Sequence, residues 1–407
     1  MNYIGSKVAF SRGGRVLFMD MIKKITWVLS VIVLANSVFA DDSEIARHCE
    51  NCKPKEPVEC DPCYEKSRDK LYDQGYGICE DILPEAYNAP GRIDICKDID
   101  LYVTGNFIYW KPLLDQVEIG ITRFEDTSGE NIFFEDIKFI TDYKPGFKVG
   151  FGYNFSHHDN WHIYSQYTRL HETKSINFVP TRPSGITSGV FYPTNIGFPV
   201  TGSIPGSDIN TTFKIELDKI DFELGRVYYI GANLITTLFA GATCHFLDQS
   251  YDQFVINIPS SVDFKTFFKN DSWAIGPRLG LETKWIFYRG FRLFANGAFS
   301  LMFSENDMSG LFVVFTSPVV TRNYKKVKKE IIRDVEELAI GFGWGSYFVN
   351  DKLHIDLSVA YEAQRYSHTN YMNYYSHLVN TGISSTFLEK PGDAFLHGLT
   401  VSARLDF

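Results

Sequence analysis

From residue 101 to residue 407 the chain is a succession of period-two segments. The last of them is the cleanest. Phe395, His397, Leu399, Val401, Ala403, Leu405 and Phe407 share one face, and Leu396, Gly398, Thr400, Ser402, Arg404 and Asp406 share the other. Strict alternation places successive side chains on opposite sides of a sheet, so each segment predicts a strand with one apolar and one polar face. Nine earlier segments repeat the pattern, at 101–110, 147–155, 161–171, 212–230, 234–246, 273–287, 291–301, 338–345 and 353–362. In the segment 212–230 the apolar set moves from odd positions (Phe213, Ile215, Leu217) to even ones (Ile220, Phe222, Leu224), which predicts a β-bulge near Asp218 or Lys219.

Connections alternate between short and long. Short turns are expected near 156–160, 231–233, 288–290 and 350–352, and long loops at 111–142, 172–211, 247–271, 304–334 and 367–394. That asymmetry, with apolar faces turned outward, is expected of an outer-membrane barrel with short periplasmic turns and longer external loops. The predicted fold is therefore all-β, a transmembrane antiparallel β-barrel of at least 10 strands. Further alternating stretches at Ile132 to Ile140, Phe254 to Ile258 and Leu311 to Val320 widen it to 12, 14 or 16 if they pair within the membrane. Phe407, a terminal aromatic on an apolar face, is the expected signal to the barrel assembly machinery.

The other end carries an export signal if translation starts at Met21. Lys23 and Lys24 precede an apolar core from Ile25 to Asn36, and Val38-Phe39-Ala40 is a small-residue cleavage site. The apolar core is too short to span a bilayer, which takes about 20 residues, and no other run approaches that length. The domain scheme is residues 1–40 as leader and signal peptide, 41–99 as a Cys-rich periplasmic segment, and 100–407 as the barrel. Cys49, Cys52, Cys60, Cys63, Cys79 and Cys96 all fall in that middle segment, while Cys244 stands alone in a strand as a small apolar wall residue. The C-x2-C spacings suit zinc in a cytosolic protein. Behind a signal peptide they point to disulfides, within the segment or to other envelope proteins.

Aromatic residues make up 15% of the chain and Tyr alone counts 23, a mix suited to interfacial girdles around a wet interior. Removing residues 1–40, with five basic residues and one acidic, takes the formal charge from −9 to −13, which argues against nucleic acid. Residues on the polar faces are the candidate pore lining: Lys148, Asp221, Glu223, Arg278, Glu282, Lys284, Arg292, Asp356, Glu362 and Arg404, with Asp406 beside them. In a narrow barrel such charges pair and fill the lumen; in a wider one they line a channel. Inward glycines such as Gly150, Gly152, Gly280 and Gly343 leave room for a plug or water, or relieve curvature. His157, His158 and His162 read as turn histidines rather than metal ligands, and the run Lys325, Lys326, Lys328 and Lys329 as the stem of a solvated external loop. Neither a metal site, a cofactor motif nor a catalytic constellation is expected.

Four stretches carry a family resemblance: Ile95 to Trp110, Pro145 to Tyr153, Asp221 to Arg226, and Gly276 to Gly280. With the Cys-rich segment before them and the aromatic terminus after them, they resemble the pore-forming outer-membrane proteins of Legionella and of chlamydia-related bacteria. Those proteins are similar to the chlamydial major outer membrane protein. The resemblance implies a general porin of an intracellular Gram-negative bacterium, with cysteines that cross-link the envelope. The expected function is passive diffusion of small hydrophilic solutes and ions, without turnover. The alternative is a closed barrel acting as adhesin or envelope anchor, and third is an outer-membrane hydrolase with catalytic groups at the outer rim. Expected partners are outer-membrane lipids and lipopolysaccharide and disulfide-linked envelope proteins. A homotrimer is compatible with the class.

Overall fold

A computed structural model describes residues 100–115, 117–126, 132–155, 161–178, 186–193, 208–230, 233–256, 263–288, 290–315, 318–348, 353–371 and 391–407. Among them every regular element is a strand: β1 (Leu101–Leu114), β2 (Glu118–Asp126), β3 (Ile132–Lys138), β4 (Lys144–Asn154), β5 (Trp161–Phe178), β6 (Ile186–Pro193), β7 (Asp208–Ile230), β8 (Leu234–Ile256), β9 (Asp263–Tyr288), β10 (Phe291–Phe315), β11 (Val320–Phe348), β12 (Leu353–Asn370) and β13 (Gly392–Asp406). Ten of these close a barrel in the order β1-β13-β12-β11-β10-β9-β8-β7-β5-β4, with β4 returning to β1. At the seam, Leu101 and Phe407 exchange both backbone hydrogen bonds, at 3.3 and 3.0 Å. Phe407 thus completes the closing ladder.

Register sets the bore. Following paired residues once around the barrel from Ser300, through Arg278 and Tyr102, leads to Tyr347 on β11, twelve residues beyond Ser300's direct partner Val335. Such a stagger tilts the strands by about 40°. Ten strands about 4.8 Å apart at that tilt enclose a backbone cylinder of about 10 Å radius. Inward side chains from opposite walls can meet across it.

The short connections after β4, β7, β9 and β11 lie at the same end as the start of β1 and the end of β13, which is the periplasmic end. Gly290, with φ of +84°, makes the tightest of these turns. At the other end the strands overshoot. A tilted membrane strand takes about 9–11 residues, whereas β9, β10 and β11 run for 26, 25 and 29. The expected external loops at 247–271 and 304–334 are mostly continuations of these strands, and so are the alternating stretches from Phe254 and from Leu311. Ile132–Lys138 belongs to a separate three-stranded sheet, β3-β2-β6, contributed by the first two external connections. None of the three stretches adds a barrel strand, so the count is ten. The basic run at 325–329 likewise lies on β11 and not in a loop, with Lys328 Nζ 2.8 Å from Glu305 Oε1.

The expected bulge near Asp218 is absent. β7 pairs without a register shift with β5 and with β8, and its odd positions face inward throughout: Phe213, Ile215 and Leu217 are buried, and so are Lys219 and Asp221. What changes at Asp218 is the solvent outside. Below it the outward positions Ile220, Phe222 and Leu224 meet lipid, and above it Asp218, Glu216 and Lys214 meet water. Neighbouring strands switch at the same height. Outward Phe246 gives way to Asp248 on β8 and outward Trp273 to Asp271 on β9, and register places Asp218 opposite Phe246 and Phe246 opposite Trp273. The barrel inverts at the membrane surface, polar inside an apolar wall below and apolar inside a polar wall above.

That boundary predicts a contrast on a single strand. Leu279, 61% exposed on the lipid face, should cost about 2–4 kcal/mol when changed to Arg. Asp271→Arg, four outward positions higher, should stay within about 0.5 kcal/mol. Urea unfolding of both variants in lipid vesicles measures the difference, and equal costs would remove the boundary from between them.

Candidate functional site: a charged vestibule below an apolar neck

The lumen has two storeys. In the outer one, inward side chains from nearly every strand form one apolar cluster, including Trp110, Leu170, Phe213, Leu217, Leu247, Tyr251, Phe268, Met302, Val335, Tyr366 and Leu396. Phe139, just after β3, packs edge-on against Phe213 with ring centroids 5.8 Å apart. Among the described residues this neck draws side chains from nine of the ten barrel strands, all but β4. It is the physical counterpart of the inverted pattern, since strands standing clear of the membrane still need their inner faces dry to cohere.

Below the neck lies a cavity of about 370 Å³. Its lining includes Lys148, Glu223, Arg278, Glu282, Lys284, Arg292, Asp356, Glu362 and Arg404, nine of the ten residues singled out by the inward periodicity, together with Glu337, His162, Tyr102 and Tyr164. The tenth, Asp221, is buried in the wall behind Arg278. Period-two reading worked here because every one of these positions lies below the inversion.

The charges pair across strands. Arg278 donates from Nε to Glu223 Oε1 at 2.9 Å and from Nη2 to Glu337 Oε2 at 3.2 Å, with a further contact from Nη1 to Glu337 Oε1. Its Nη1 lies 3.8 Å from Asp221 Oδ1. Lys219 joins the same group, 2.5 Å from Glu337 and 3.2 Å from Asp221. Arg292 holds Asp356 through two bonds of 2.5 and 2.6 Å, a bidentate geometry suited to a guanidinium. Lys148 reaches Glu362 at 2.5 Å and stands 4.7 Å from the Trp110 ring. Glu282 pairs with Lys284 at 3.1 Å. Near the periplasmic mouth, Arg404 binds Asp406 at 2.5 Å and lies 3.6 Å over the Tyr102 ring, while His354 Nδ1 sits 2.9 Å from the other Asp406 oxygen.

Lys219, Glu337 and His354 were missed as site residues. Lys219 lies at the expected bulge, Glu337 one position before the start of the eighth alternating segment, and His354 one position inside the ninth. Extending each alternation by two residues at constant parity would have found the first two. The inward glycines have a simpler use than a plug. A Cβ at Gly152 would strike the Tyr102 ring, one at Gly280 the Phe239 ring, and one at Gly343 the Arg292 guanidinium. They clear space for neighbouring inward side chains. Tyr102 then stacks on Tyr164, with centroids 5.7 Å apart, and Tyr164 Oη lies 2.7 Å from Thr104 Oγ1.

Cys49, Cys52, Cys60, Cys63, Cys79 and Cys96 lie outside the described residues, as do His157 and His158. His162 is an inward vestibule residue and not part of a turn. Cys244 is free and stands on the outward, lipid-facing side of β8. No group of three or more His, Cys, Asp or Glu side chains among the described residues is arranged to hold a metal ion.

Comparison with solved structures finds distant likenesses. The outer membrane protease OmpT of Escherichia coli is 10% identical with a TM-score of 0.41, covering 78% of this chain and 100% of that one. The toluene transporter TodX of Pseudomonas putida is 6% identical with a TM-score of 0.22, covering 76% and 89%. A FadL homologue of Pseudomonas aeruginosa is 8% identical with a TM-score of 0.22, covering 81% and 95%. No curated protein sequence matches. The family described as the Legionella pneumophila major outer membrane protein precursor matches residues 96–407, from Cys96 through the closing strand. A closed barrel with a lipid-facing wall, matched over all ten of its strands, belongs to that family, and this chain is one of its outer-membrane proteins.

Proposed function

We propose that this protein is a narrow outer-membrane pore for small hydrophilic solutes and ions, working without turnover or cofactor. The observation that carries the proposal is the vestibule itself. A lumen built only for stability would be filled below the neck as it is within it, yet the lower storey keeps about 370 Å³ lined by charges of both signs. The neck then acts as a hydrophobic constriction that gates by dewetting. A specific feature also favours a second reading, the closed adhesin or envelope anchor, because the neck buries side chains as large as Trp110, Tyr251 and Phe213. Lipids and lipopolysaccharide would surround the wall in either case, the assembly machinery would read Phe407, and the N-terminal cysteines would tie the barrel to other envelope proteins.

Single-channel recording of the full-length protein, extracted from outer membranes and reconstituted in planar bilayers under reducing and oxidising conditions, tests the pore. Small discrete steps are expected. Silence from a demonstrably folded barrel would select the closed reading. Selectivity should be weak, because the vestibule's cations and carboxylates nearly balance. Glu282→Gln leaves Lys284 without its partner, and one uncompensated charge at about 4 Å is worth about 1 kcal/mol in a watery lumen. The permeability ratio should move a few-fold towards anions, read from the reversal potential in a salt gradient.

A further inference from the structure

Arg333 takes no part in the vestibule network. It points inward from β11 into the neck and is 1% exposed. Nη2 donates to Asn306 Oδ1 at 2.8 Å, while Nε and Nη1 have no hydrogen-bond partner. Register places Arg333 opposite Met302, between Ser300 and Ser304, whose buried hydroxyls are likewise unpartnered. From β8, His245 is equally buried with neither ring nitrogen bonded, and its ring packs edge-on against Tyr366 at 5.2 Å. Tyr366 in turn pairs with Val335, on the same inward face of β11 as Arg333. The Gln249 amide, one inward turn of the pleat beyond Leu247, is also buried without a partner.

A guanidinium cannot shed its charge to escape burial, and a buried ion left unpaired costs several kcal/mol. Buried cations therefore carry a counter-ion, and among the described residues no carboxylate pairs with Arg333. The surplus polar atoms around it are mostly donors or can act as donors: two guanidinium N–H groups, two hydroxyls, an imidazole and an amide. The Gln249 carboxamide oxygen is unpartnered as well, so what this constellation lacks is a negative charge to match the guanidinium. One fixed positive charge matches one negative charge. Apolar neighbours such as Met302 and Val335 also favour an anion that sheds its hydration readily over phosphate or sulfate.

We propose that Arg333, with Ser300, Ser304 and His245, forms a binding site for a small monovalent inorganic anion of the chloride class in the neck of the barrel. The inference rests on the pore reading for its consequence, since an anion held at the driest point of the lumen would favour anions in transit. It does not need conduction to be tested.

The full-length protein in detergent micelles is melted in increasing chloride, with gluconate holding the ionic strength constant. Chloride should raise the wild-type midpoint saturably, by about 5 °C at a hundredfold excess over Kd. Arg333→Met keeps the side chain's length and removes the charge, and its midpoint should be indifferent to the exchange. Arg333→Lys should retain a weakened response. Line broadening of chloride-35 resonances by the wild-type protein, relieved by bromide, reads the same site without any variant. An indifferent wild type, an equal response in Arg333→Met, or no broadening overturns the site. A silent bilayer with chloride-dependent melting overturns the pore and leaves the site standing. Conduction with chloride-indifferent melting does the reverse.

Discussion

Replacing Arg278 with methionine should lower the unfolding free energy of the barrel by about 3–5 kcal/mol, the usual cost of stripping one partner from a buried ionic group. Arg278 is the hub on which Glu223, Glu337 and Asp221 converge, and its side chain is almost wholly buried. Without it three carboxylates face each other with Lys219 alone to offset them. The nearest relief is proton uptake, so the loss should be smaller in acid than at neutral pH. Urea unfolding in lipid vesicles measures the effect. The double variant R278M/E337Q should recover part of it, with a coupling of about 0.5–3 kcal/mol. A loss below about 1 kcal/mol would mean that vestibule water screens the group as it does a surface pair.

Trp110→Ala should be comparably damaging for a different reason. The indole is 0% exposed, donates from Nε1 to Thr400 Oγ1 at 3.1 Å, and carries the Lys148 ammonium on its face. It therefore forms the floor between neck and vestibule. Truncation removes most of a large buried ring, for which about 3–5 kcal/mol is typical. Trp110→Phe keeps the packing and loses the hydrogen bond, at about 1 kcal/mol. Thermal melting separates the two variants. If the barrel conducts, Trp110→Ala should also raise the open probability, because the lost ring opens the neck from below. Equal midpoints for Ala and Phe would show that the ring fills no space the fold depends on.

Much of the wall was legible because lipid enforces a binary code. Wherever a strand crosses the bilayer its outward positions must be apolar, and the inward ones escape that rule. The segments from Trp273 to Phe287 and from Phe395 to Phe407 could be read position by position, and Lys148, Arg278 and Arg404 were placed inward correctly. The same logic failed at 212–230 and beyond residue 303. A period of two reports that the faces differ, but not which solvent each one meets. Once the strands leave the membrane, apolar residues belong inside, and the reversed pattern looks from sequence like a bulge or a loop. Lys219 and Glu337 disappeared from the expected site for that reason, and the neck was invisible as a whole.

Ion pairing lay further out of reach. Lys148 and Glu362 are separated by 214 residues in sequence and by the seam strands β1 and β13 in space. Arg278 meets Glu337 from two strands away, across β10. The first meeting depends on closure of the barrel through β1 and β13, and the second on the registers of β9 and β11 against β10, which no single segment encodes. The amino-acid sequence by itself determined the membrane-crossing parts of the ten barrel strands, their lipid-facing sides and most of the residues turned inward there, because those follow from local alternation against a fixed solvent. Tertiary structure alone decided how many segments closed the wall, which charges met and where the lumen carries its apolar neck, because a barrel's register is set only when its last strand pairs with its first.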